Sequence, residues 1–244
     1  MTNMPSDEHT AWEARLGRIA EAAALWREKT SREPDVIEPG SDLAGDDSGF
    51  LGFSVSNLVG YSLAAATEHL DFTLSVMKAT STLYPTAYLT VLRTSLLSAS
   101  HAAWILEPDQ RAERQLRALE FLADDLRAQL VMVRETFITS ESARASKDKM
   151  IALLLARQAD LQPIADALRP GLQVEKCQVN NTRIIEVVAQ ATHDENLAIG
   201  GVNAIWRTGS AAAHGSRGFA TMRLKNDQIV KSATGMQYSM LRGI

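Results

Sequence analysis

Near the C-terminal end the chain reads Val202-Asn203-Ala204-Ile205-Trp206-Arg207-Thr208-Gly209-Ser210-Ala211-Ala212-Ala213-His214-Gly215. If this stretch is helical, the seven-residue step from Arg207 to His214 is a rotation of about 700°, so both side chains leave one face about 10 Å apart along the axis. Ser210 falls between them. A fixed guanidinium beside an imidazole suits phosphodiester chemistry, because the cation stabilises charge on a pentavalent phosphate and the imidazole moves a proton near neutral pH. With a ribose 2′-hydroxyl as nucleophile, such a site needs no metal and no cofactor. A single pair about 10 Å apart does not easily grip one phosphate, whereas two copies about a twofold axis would form one composite cleft. A homodimer is therefore expected. Gly209 and Ala211 to Ala213 present little side chain, which leaves room for another backbone to come close.

Arg207 and His214, with six residues between them on a late helix, resemble the Arg-x(4-6)-His motif of the HEPN superfamily. The surrounding pattern resembles HEPN-related proteins through Glu68-His69-Leu70, through Leu92-Arg93-Thr94-Ser95-Leu96 with Trp104, Leu106 and Pro108, and through Trp206-Arg207-x-x-Ser210-x-x-Ala213-His214-Gly215. It spans roughly residues 54 to 216. The resemblance implies an antiparallel helical bundle, frequent dimers, and in active members metal-independent RNA cleavage within toxin-antitoxin or antiphage systems. His214 would then act as the acid-base group, Arg207 would stabilise the phosphorane and Ser210 would orient the phosphate or the imidazole.

A second reading assigns the same residue types to structure. Arg93 lies in a segment otherwise nearly free of charge, and a guanidinium inside a core must be paired and hydrogen-bonded. Glu68 and Asp71, in the preceding helical pattern, are its nearest acidic candidates. On this reading Arg93, Glu68, His69 and His101 form a structural polar network, joined by Arg207 and His214. The protein would then be a non-catalytic interaction or sensor module that binds a protein partner or nucleotide.

Charge distribution favours an anionic partner at one end only. The chain of 244 residues carries 25 Lys+Arg and 29 Asp+Glu, a net −4 that creates no global field for a polyanion. Residues 1 to 50 hold 11 acids and 5 bases, whereas residues 207 to 244 hold 6 bases and the single acid Asp227. Arg217, Arg223 and Lys225 are accordingly the expected contacts to an RNA backbone. Cys177 is the only cysteine, which excludes an intramolecular disulfide and a cysteine zinc cluster. The first thirty residues lack a secretory pattern. The most apolar stretch, Ser81 to Leu106, holds eight Ser or Thr together with Arg93 and His101, which argues against a membrane span, and the lone cysteine fits a reducing compartment, so a cytoplasmic protein is expected.

The elements that must position these residues read as helices. Trp12, Leu16, Ile19, Ala23 and Trp26 give residues 8 to 30 an amphipathic stripe that should pack on one face. Glu33 to Phe53, rich in Pro, Gly and Asp, reads as an acidic flexible linker. Ser54 or Ser56 caps a helix running to about Thr80, and a second runs from about Thr86 to Leu106 in the interior. Ala112, Leu116, Leu119, Ala123, Leu126, Leu130, Val133 and Phe137 mark a core helix from Asp109 to Phe137, with Arg111, Arg114, Arg117 and their acidic neighbours on a solvated face. Further helices are expected from Ser140 or Ser142 towards Pro170, continuing or breaking near Asp160, from Thr182 to Ala191, and after Gly200-Gly201 up to a Gly215 cap. Phe219 to Leu224 and Gln228 to Ala233 flank Asn226-Asp227 as a short hairpin. The expected fold is all-α, an antiparallel helical bundle with a short C-terminal β-hairpin. Its organisation would be an N-terminal helix and linker at 1–53, a HEPN-like bundle at 54–216 and a basic tail at 217–244.

Overall fold

The computed structural model describes residues 6–30, 37–50, 54–80, 82, 84–192, 195–216, 218, 229–231 and 237–239, with backbone alone at 6–9, 85, 195–200 and the last two segments. The described chain is dominated by helices: α1 (Ser6–Thr30), the short α2 (Asp42–Asp46), α3 (Val55–Thr80), α4 (Pro85–Leu106), α5 (Arg111–Glu135), α6 (Glu141–Leu168), α7 (Asn181–Thr192) and α8 (Glu195–Ala213). A 3-10 turn, Val174–Lys176, lies between α6 and α7. No helix among the described residues is long and apolar enough to cross a membrane. The chain forms two compact units. One comprises Met1–Asp35, Ser62–Ser100 and Ala189–Ile244, and the other Val36–Tyr61 and His101–Val188.

The second unit has an ordinary apolar core. Leu116, Leu119, Ala123, Leu126 and Leu130 of α5 are buried at the expected three- and four-residue spacing. They meet Leu154, Leu161 and Ala165 of α6, which packs along α5. Ser140 caps α6 by accepting from the Ala143 amide, and of the two alternatives at Asp160 the helix takes the continuous one, running on through Pro163. The proline removes one backbone bond, yet Leu161 and Ala165 on either side of it are buried against the core and keep the axis intact. Phe137, expected inside, lies beyond the helix end and is 89% exposed, because α5 stops at Glu135.

Two expectations about this unit are overturned together. Residues 37–50 are not a featureless linker: Ser41 caps α2, and Asp46 at its end is only 1% exposed. Arg114 is not on a solvated face. It shares the buried stripe of Ala118 and Leu122, and its Nε and Nη2 donate to Asp46 Oδ2 and Oδ1 at 2.7 and 2.8 Å. Its Nη1 donates to the carbonyls of Pro108 and Asp109, both at 2.9 Å, while Gln115 donates to the Asp46 carbonyl. The bond to Asp46 raises the Arg114 pKa above its ordinary value despite the burial. Asp47 then accepts from the amide and hydroxyl of Ser56, and Ser54 caps α3 by accepting from the Asn57 amide. The acidic run therefore neutralises an internal arginine through Asp46 and holds the start of α3 through Asp47.

The first unit is built differently. Few of its described residues are fully buried, among them Ala23, Ala66, Thr73, Tyr88, Trp206 and Ala212. Of the α1 stripe only Ala23 is covered: Trp12 and Trp26 are 51% and 46% exposed, and Leu16 and Ile19 are exposed as well. Arg27 ties α1 to α3 by an ion pair to Asp71 at 3.1 Å. α4 is half-buried from Leu89 to Ser98 rather than enclosed. Ser95 crosses from it to α3 by donating to the Ala66 carbonyl at 2.7 Å. Two three-residue strands, Ile229–Lys231 and Gln237–Ser239, pair antiparallel with Val230 opposite Tyr238. The expected partner strand, Phe219 to Leu224, and the turn at Asn226-Asp227 lie outside the described residues.

Removing one member of a buried bidentate ion pair leaves the other charged and unpaired, which costs roughly 3–5 kcal/mol. Asp46→Ala is expected to lower the unfolding free energy by about that amount. The double variant Asp46→Leu/Arg114→Met should regain most of it, as read from urea denaturation followed by far-UV circular dichroism.

Candidate functional site

α8 begins at Glu195, so Gly200 and Gly201 lie within the helix rather than before it. Glycine weakens a helix interior by roughly 1 kcal/mol relative to alanine but does not stop it. The helix end agrees with the expectation. His214 is the last helical donor, its amide bonding to Ser210 O at 3.1 Å, and Gly215 follows at φ +64°. The amides of Gly215 and Ser216 reach back to the carbonyls of Ala212 and Ala211 at 3.0 and 2.8 Å. This double closure satisfies two end carbonyls and requires the left-handed residue that glycine supplies.

Along α8, Trp206, Gly209 and Ala212 are buried, Ser210 is half-buried, and Arg207 and His214 are exposed. Neither the Arg207 nor the His214 side chain makes a hydrogen bond or ion pair among the described residues. The two do not contact each other. Ser210 stands one turn from each and is already engaged from the other side, since Arg93 Nε donates to its Oγ at 2.7 Å. The Arg93 guanidinium also stacks over the Trp206 ring, 4.1 Å from its centroid. Burial pulls the Arg93 pKa below its ordinary value.

Gly209 explains how α4 comes so near. A Cβ there would lie 2.7 Å from Arg93 Cβ and 2.8 Å from the Leu89 carbonyl oxygen. No side chain fits between the two helices at this point. The small-residue face expected to admit a second copy of the chain is, at Gly209, filled by α4 of the same chain.

The expected polar network does not assemble. Arg93 has a hydroxyl and an indole as partners instead of a carboxylate, Glu68 is exposed, and Asp71 pairs with Arg27. His69 Nδ1 donates back to the Ala65 carbonyl of its own helix at 2.7 Å. His101 belongs to the other unit, where its Nε2 donates to Asn181 Oδ1 at 2.9 Å and its ring meets Phe121 edge to face. Helical spacing alone could not separate these fates, because each depends on which neighbour covers the face. Arg217, Arg223 and Lys225 lie outside the described residues.

Other reactive groups offer little. Cys177 is buried, and burial pushes its thiol pKa up, away from the nucleophilic thiolate. No group of three or more His, Cys, Asp or Glu able to hold a metal is found among the described residues. No family model matches the chain, and neither a curated protein nor a solved structure matches it.

Two measurements test these local arguments. Gly209→Ala should destabilise the protein by about 1–3 kcal/mol, because the Leu89 carbonyl is backbone and cannot yield. Gly201→Ala, with nothing within 4 Å of the added methyl, should stabilise it by roughly 0.5–1 kcal/mol through helix propensity. Thermal melts of the two variants should therefore shift in opposite directions. For His101, burial lowers the folded-state pKa, opposed by the Asn181 bond and by Asp124. Below the unfolded value of about 6.5 the unfolded chain takes up a proton that the folded one resists, so stability falls as pH drops through that window. His101→Gln should flatten this part of a stability-against-pH curve.

Proposed function

We propose that the chain is a HEPN-like helical protein that cleaves RNA without a metal ion, of the kind found in toxin-antitoxin or antiphage systems in the cytoplasm. The observation that carries this reading is the exposure of Arg207 and His214 on one flank of α8, with neither engaged by the described protein. A structural network would have buried and paired them. In the proposed reaction the His214 imidazole takes the proton of the ribose 2′-hydroxyl as its oxygen attacks the adjacent phosphorus. Arg207 stabilises the negative charge of the phosphorane, and the imidazolium formed at His214 returns its proton to the departing 5′-oxygen, so that a 5′-hydroxyl and a 2′,3′-cyclic phosphate result. Ser210 accepts from Arg93, which leaves its own O–H to orient a phosphate oxygen or the imidazole. Arg217, Arg223 and Lys225 attract the backbone electrostatically. A homodimer places two such flanks together, with Ala213, Arg207 and His214 still directed outward.

A second reading has its own observation. The exposed tryptophans and aliphatic residues along α1 form an apolar stripe of the type that binds another protein. An antitoxin or another defence component would fit there whether or not α8 is catalytic.

Purified protein incubated with total RNA and with tRNA in EDTA should cleave, leave 2′,3′-cyclic phosphate ends, and slow as salt rises. His214→Ala should lower the rate by roughly 10²- to 10⁴-fold with an unchanged circular dichroism spectrum. Cleavage that needs magnesium, or that survives His214→Ala at full rate, removes the nuclease reading.

A further inference from the structure

Arg93 is the least explained charge in the first unit. Its guanidinium has five N–H donors, and a single one, on Nε, is used by the described protein. Among the described residues the Nη1 and Nη2 edge has no acceptor, and neither atom is sealed from solvent. The plane of the group is set by the Trp206 ring on one side and by the Ser210 bond at its inner end. Arg114 in the other unit shows what this chain does with an arginine whose role is structural: carboxylate oxygens and backbone carbonyls take up Nε, Nη1 and Nη2. At Arg93 the two acidic residues closest on α3 are instead directed elsewhere, Asp71 to Arg27 and Glu68 to solvent.

We propose that the free Nη1–Nη2 edge of Arg93 is an oxyanion-binding site that takes a phosphate group, the phosphodiester of a nucleic acid in the setting of the proposed function. A planar fork with two parallel donors matches two oxygens of one phosphate. Stacking on Trp206 holds the fork before ligand arrives, which lowers the ordering cost of binding. Ser210, the anchor of Arg93, sits on the turn of α8 between Arg207 and His214, a pair too widely spaced along the helix to grip one phosphate alone. Gly209 is what lets α4 reach that point. Arg93 is thus a phosphate-binding residue contributed by a second helix of the same chain. Its place in RNA cleavage rests on the reading of Arg207 and His214 given above, but the oxyanion site does not.

The test uses a fluorescent single-stranded RNA made wholly of 2′-O-methyl nucleotides, which cannot be cleaved through the 2′-oxygen and so reports binding alone. Wild-type protein should bind it, and inorganic phosphate should compete. Arg93→Lys keeps the charge but loses the planar fork, and is expected to weaken binding about tenfold or more. Ser210→Ala frees Nε and should weaken binding to a smaller degree, which provides a check if Arg93→Lys folds poorly by circular dichroism. Equal affinity of wild-type and folded Arg93→Lys, or wild-type protein that binds neither oligomer nor phosphate, overturns the proposal. Calorimetric phosphate binding that Arg93→Lys abolishes, in a protein that ignores the oligomer, keeps the oxyanion site and removes the RNA reading. Undiminished oligomer binding by Arg93→Lys alongside EDTA-resistant cleavage does the reverse.

Discussion

At Gly209 the backbone of α8 comes so close to Leu89 and Arg93 of α4 that no β-carbon fits between them, and the arrangement of the first unit follows from that approach. It brings Arg93 against Trp206 and Ser210, sets which flank of α8 is covered, and leaves the flank with Arg207 and His214 outward. A larger residue would push the axes apart, because helix spacing is set by the side chains at the crossing. The glycine gives up helix propensity at this position, and the contact it permits offsets that loss.

Arg114, buried, and Arg93, half-buried, show two ways to accommodate the same group away from water. Arg114 is neutralised by Asp46 in bidentate geometry, with backbone carbonyls taking its remaining Nη donor atom, and the result is a clamp that fixes α2 and the start of α3 to α5. Arg93 receives an aromatic face and one hydroxyl. Cation–π contact with tryptophan stabilises a guanidinium without cancelling its charge, so Arg93 stays an uncompensated positive centre at a helix crossing. The first arrangement serves cohesion, whereas the second leaves a cation able to act on a ligand.

The units also differ in how they are held together. Around α5 and α6 a continuous set of Leu, Ile, Val and Ala side chains is removed from water, and this burial is the dominant favourable term in folding. Around α4 and α8 the side chains are mostly half-buried and the crossings rely on Ser95, Arg93 and Ser210. Directional bonds of this kind specify position more than they add stability. Such construction leaves Arg207 and His214 on the exposed surface of that unit.

The order of helices, most of their ends and the apolar seam of α5 were legible in the sequence, because three- and four-residue periodicity and capping chemistry are local properties. Ser54, Ser140 and Gly215 cap as their residue types require. Arg207 and His214 were legible too, since helical spacing alone places them on one flank. What each charged side chain meets was not. Asp46 in an acidic, glycine-rich stretch looked like part of a tether, and Arg114 looked like one of several surface arginines on α5. Only the packing of α2 on α5 paired them. Arg93 looked bound for a carboxylate on α3, but α8, more than a hundred residues later, reached it first through a glycine. Periodicity defines the faces of a helix, whereas the partner of a buried charge is decided by long-range packing, to which the local pattern is blind.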